Sequence, residues 1–113
     1  MLKYEMSELR EFSVEDLSEM VGWDIRDWFM DEKIESGVFR IEVGCRGEIE
    51  DISKVEVKDG VFEVESVEEI MNNFDEEDRE SMEEWVDVEM FEGVLSVCKG
   101  EEDNVDIVKL VVD

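Results

Sequence analysis

Glu76, Glu80 and Glu84 stand four residues apart, and Glu77, Glu83 and Asp87 flank them. Asp75 as N-cap and the apolar spacing of Met82, Trp85 and Val86 predict a helix from there to about Asp87. Side chains four apart on a helix are neighbours, about 5–6 Å between Cβ atoms, and like charges there cost roughly 0.2–0.5 kcal/mol per pair. An ordinary solvated helix relieves that cost with interspersed bases. Here a single base, Arg79, stands among twelve acids in residues 66–92, net −11. A row of fixed carboxylates at regular spacing resembles a phosphate backbone in its charge distribution. Glu76, Glu77, Glu80, Glu83, Glu84 and Asp87 are therefore the expected partner-binding residues, and the surface they suit is cationic.

Other chemistry has little to work with. The chain has no histidine, the commonest general base and metal ligand. It has no GxGxxG or Walker A loop, no GxSxG, and no cysteine accompanied by a histidine. Carboxylate pairs could serve a glycosidase or a two-metal nuclease, but among 36 acids such pairs arise by chance. A Ca²⁺ loop needs alternating acids and a glycine; residues 75–84 lack the glycine and place Arg79 at a would-be ligand position. The expectation is a non-enzyme with no cofactor, no catalytic residues and no specific metal site.

Composition narrows the partners. The formal charge is −25 over 113 residues. Self-repulsion at that density opposes compaction, and solubility of a small domain needs only about 2–8 net charges. DNA, RNA and anionic membranes are excluded as direct partners by like charge. A salt-adapted proteome is the plain alternative, yet Glu outnumbers Asp by 24 to 12 and Ala and Thr are absent. Pro, Gln and His are absent too, which fits a cytosine-poor coding strand of the kind found in some viral and mobile-element genomes. Apolar residues make up 42%, enough for a core and too many for an acidic tail. Cys45 and Cys98 form no CxxC, and no signal peptide or membrane-length apolar run is evident, so a reduced cytoplasmic setting is expected, that of the host if the protein is viral. Cys98, in an apolar stretch, reads as a small core residue.

The elements that must position the acids follow from periodicity. Residues 1–6 alternate through Leu2, Tyr4 and Met6. Ser13, with Asp16 three residues on, predicts a capped helix with Val14, Leu17, Met20 and Val21 on one face and Gly22 as its stop. A second helix is expected over 24–34, with Ile25, Trp28 and Phe29 inward and Gly37 closing the segment. Period two then takes over: a strand over 38–43 with Phe39, Ile41 and Val43 on one face, a turn at 44–47, and a strand to Lys58 with Val55 and Val57 inward and a bulge at Glu50-Asp51. Asp59-Gly60 predicts a hairpin returning along 61–65. Ser66 and Glu69 box the start of a helix over 66–74, and a last hairpin pairs 91–99 with 105–112 near the sheet centre. Arg40, Glu42, Lys54, Glu56, Lys58, Glu63 and Glu65 read as a mixed, solvated outer face. Trp28 and Trp85 read as core; Trp23 is the candidate exposed contact aromatic. The whole predicts a single α+β domain, residues 1–113, with an antiparallel sheet of about five strands and helices packed on one side.

In size, acidity and α+β character the chain is similar to phage-encoded anti-restriction, anti-CRISPR and uracil-DNA-glycosylase-inhibitor proteins, a resemblance of kind carried by no shared motif. It implies a viral nucleic-acid (DNA) mimic that occludes the basic surface of a nucleic-acid-binding protein or nuclease. The alternatives are an immunity protein or antitoxin that neutralises a basic toxin nuclease, and an acidic structural or assembly protein. Oligomeric state is not encoded in any visible pattern.

Overall fold

β-Branched and aromatic residues make strands the dominant regular element. The computed structural model describes residues 1–21, 35–44, 46–82, 84–99 and 103–112. In order these form β1 (Leu2–Glu5), a 3₁₀ turn (Met6–Glu8), β2 (Glu11–Phe12), α1 (Val14–Val21), β3 (Gly37–Gly44), β4 (Ile49–Val55) and β5 (Val61–Val64). Then come α2 (Val67–Met71), α3 (Glu76–Met82), β6 (Val86–Phe91), β7 (Val94–Lys99) and β8 (Asp103–Leu110). The expected second helix over 24–34, with Trp23, Trp28 and Cys45, lies outside the described residues.

The protein is a mixed fold dominated by antiparallel sheet. The main sheet runs β4-β3-β8-β7-β6, with the short β2 added in parallel to β8; β1 and β5 form a separate antiparallel pair. It is thus broader than the expected five strands, and the helices are short. The alternation of β3 explains a second correction, to helices on one side only. Phe39 and Ile41 enter one cluster, with Phe12 of β2, Leu17 of α1, and Val108 and Leu110 of β8. Val38 enters another, with Phe62 and Val64 of β5, Leu95 and Ile107. A third joins Ile70 and Met71 of α2 to Val86, Val97 and Val105. Because neighbours along a strand point to opposite faces, α1 covers one face of the sheet while α2 and the small sheet cover the other.

Local signals decide several boundaries. The Ser13 hydroxyl accepts from the Asp16 N–H (3.1 Å) and the Asp16 carboxylate accepts from the Ser13 N–H (3.3 Å), a complete box at the start of α1. The Ser66 hydroxyl likewise accepts from the Glu69 N–H at 3.2 Å. The bulge falls where the sequence placed it: β3 pairs Glu42 with Asp51 and Val43 with Ile49, leaving Glu50 as the extra residue. Asp59 and Gly60 take positive φ (54° and 76°), but their hairpin is a single bridge, Lys58 to Val61. Beyond it β5 leaves β4 and pairs with β1, in register Tyr4 to Phe62.

Candidate acidic interface

Glu76, Glu77 and Asp78 fill the first turn of α3, where the helix dipole favours negative charge. Asp75 holds the N-cap position, its carbonyl accepting from the Arg79 N–H at 2.8 Å. The helix then stops early. Trp85 N–H donates to the Met82 carbonyl (2.9 Å) and closes a turn, and from Val86 the chain is a strand. The expected helix to Asp87 is therefore overturned. Val86, Val88 and Met90 alternate at period two, and pairing along β7 overrides the helical spacing of the residues before them.

The six expected contact residues are consequently divided among elements. Glu76, Glu77 and Glu80 sit on α3, with Glu76 and Glu80 four apart on one face, and all are exposed. Glu84 is exposed in the turn that follows, and Asp87 is exposed on β6. Glu83 lies outside the described residues. Asp87 pairs in register with Cys98, on the face of the sheet that carries Ser96 and Asp106. Met82 packs instead into the cluster with Val97 and Val105, on the opposite face. The sequence row of carboxylates is thus a helix, a turn and a strand, and Asp87 looks out on a different neighbourhood from α3.

What the segment keeps is its lack of cations. Among the described residues, the only ion pair reaching residues 66–92 is that of Glu69 with the Met1 ammonium. That hydrogen bond, offset in part by burial and helped by Ser66, holds the Glu69 carboxyl below the usual range. Elsewhere bases are spent locally: Arg40 meets Glu42 (3.5 Å) and Asp51 (4.0 Å), Lys54 meets Glu35, Lys3 meets Glu63 and Lys109 meets Glu11. The expected mixed outer face is not one surface: Lys54 stands opposite Phe39 and Arg40 opposite Ser53, so the two bases lie on opposite faces of the sheet, and Glu63 belongs to the separate β1–β5 pair.

Two features escaped the sequence reading. Trp85, expected in the core, is 44% exposed, with Met90 at 37% and Phe91 at 66% near the same strand. Glu92-Gly93 between two apolar runs was the available signal, since both take positive φ and turn β6 into β7. Cys98 is half-buried rather than core, with its thiol 3.8 Å from Asn104 Oδ1. Asn104 and Ser96 both donate to the Asp106 carboxylate, at 3.3 and 2.7 Å. Burial pushes the Cys98 thiol up from its ordinary value, and Asp87, Asp106 and Glu89 add to the shift. No grouping of acids, histidines or cysteines among the described residues is placed to hold a metal ion, and no described helix is long and apolar enough to cross a membrane.

Fold and site together define an acidic, sheet-dominated protein with a cation-poor helix and edge strand. No protein-family model, curated protein or solved structure matches the chain.

Proposed function

We propose that this chain is a non-enzymatic inhibitor that mimics nucleic acid and occupies the basic binding surface of a nucleic-acid-handling enzyme. One observation carries the reading: Glu76, Glu77, Asp78, Glu80 and Glu84 are all exposed, α3 buries no residue, and none of these acids is in an ion pair among the described residues. An isolated helix with that charge gains nothing for stability from its acids beyond the first turn. Held out on a folded scaffold, the acids attract a cationic groove at a distance. Complementary fields of this kind raise association rates toward about 10⁸–10⁹ M⁻¹s⁻¹ at low salt. The anti-defence setting, anti-restriction or anti-CRISPR in a host cytoplasm, is the biological context that fits such a device.

The test is capture from a host lysate on the immobilised chain, with and without competing DNA. A basic nucleic-acid enzyme that DNA displaces is the expected catch. Its affinity should fall by at least about tenfold between low and physiological salt, as for ligands that release counterions. Reversing Glu76, Glu80 and Glu84 to Lys should weaken the complex far more than reversing Glu63 and Glu65; equal losses would remove α3 from the interface.

A further inference from the structure

The hairpin of β6 and β7 turns through Glu92 and Gly93, and Phe91 and Val94 close it. In a two-residue hairpin the closing pair exchanges hydrogen bonds and alternate pairs follow suit. Phe91, Glu89 and Asp87 thus bond inward to β7, while the peptide groups of Val86, Val88 and Met90 face away from the sheet. A side-chain contact agrees with this polarity: the Val88 N–H donates to the Asp87 carboxylate at 2.9 Å. Among the described residues no strand pairs with that outer edge.

An open edge is a template for another strand, and proteins guard it. Here charge does the guarding. Asp87 and Glu89 occupy one face of β6, and Val86, Val88 and Met90 the other. Exposed Trp85 and Phe91 stand at the two ends, roughly 20 Å apart at about 3.4 Å per residue. A second copy laid edge to edge would set these acids against their own kind, which destabilises a strand pair. A basic strand would meet opposite charge at the same positions.

We propose that the free edge of β6 docks, by strand addition, an extended segment of the basic partner with Lys or Arg at alternate positions. Those cations face Asp87 and Glu89, and apolar residues between them extend the surface of Val86, Val88 and Met90. The proposal rests on the reading above that the partner is cationic. On docking, a carbonyl of the incoming strand replaces the Asp87 carboxylate on the Val88 N–H, freeing that carboxylate for a partner base. Trp85 and Phe91 cover the ends of the added strand and exclude water there.

The probe is a synthetic peptide of about eight residues alternating Lys and Val, compared with the same residues arranged in two blocks. The alternating peptide should bind at least about tenfold more tightly and protect the Val88 and Met90 amides from hydrogen exchange. Met90→Pro removes an outward N–H while leaving the ladder to β7 intact, so it should abolish the preference. Should that variant unfold on heating far below the parent, amide protection in the unaltered chain decides alone. Equal binding of both peptides, with changes confined to α3, would overturn the edge and leave the charge reading standing. Binding of neither would sink both. A dimer that Met90→Pro dissolves would hand the edge to a second copy and overturn the proposal.

Discussion

β8 and β6 belong to one sheet and live under opposite rules. β8 is paired on both sides, and Val105, Ile107, Val108 and Leu110 are buried on its two faces. Among the described residues β6 is paired on one side, and of its six residues only Val86 is buried. The difference tracks charge. Removing a carboxylate from water costs several kcal/mol unless it is paired. A segment with twelve acids and one base can therefore join the sheet only at its rim. The centre of the molecule supplies stability, and the rim holds charge that the centre could not tolerate.

The contrast breaks most visibly at the centre. Leu110 is fully buried between β2, α1 and β3. Leu110→Ala should cost about 2–5 kcal/mol in urea unfolding. Glu80→Ala on α3 should stay within about 0.5 kcal/mol, as exposed positions do. A comparable loss at both would mean that α3 is part of the core. Next in size comes the hinge between the regions. Gly93 has φ of 82°, and a Cβ there would stand 2.3 Å from Arg10 Cβ and 2.4 Å from its backbone N. Gly60, at 76°, has open space. Gly60→Ala should cost about 1–2 kcal/mol for the left-handed backbone alone, and Gly93→Ala clearly more, because β2 must move. Equal melting shifts for the two would show that β2 is not seated against the turn.

Charge reversal sharpens the comparison at smaller scale. Glu80→Lys converts the repulsive pair with Glu76 into an attractive one, so the chain should gain a few tenths of a kcal/mol even as it loses its basic partner. Stability and binding moving in opposite directions is the signature of an interface kept at a cost to the fold. A substitution that lowered both would assign Glu80 a structural role instead.

The sequence revealed short-range devices better than partnerships. The Ser13–Asp16 box, the Glu50 bulge and the burial of Leu17 were legible because each depends on residues a few positions apart. That β5 would desert β4 for β1 was not legible, since Asp59-Gly60 fixes a turn but not how far the strands stay paired. The end of α3 was hidden for a related reason. Met82, Trp85 and Val86 satisfy a helical spacing, while Val86, Val88 and Met90 satisfy a strand, and the partner strand β7 arbitrates between them. The acids of the site were readable as composition; their division between α3, a turn and β6 followed from that arbitration. Burial of Trp85 was inferred from its neighbours at helical spacing, and it failed once the helix ended before it.

The position of Asp87 on β6, apart from α3, has its own consequence at Cys98. The thiol is raised first by burial and then by Asp87, Asp106 and Glu89, all of which disfavour the thiolate. Since the thiolate is the nucleophile, alkylation of Cys98 at neutral pH should be slow and should accelerate at higher pH than for a free cysteine. Asp87→Asn removes one of those charges, so the rate at neutral pH should rise. A Cys45→Ser background confines the measurement to one thiol. Glu80→Gln, on the helix, should leave the rate unchanged. If the two substitutions acted alike, Asp87 would belong with the carboxylates of α3 after all, and the acidic segment would be one surface rather than two.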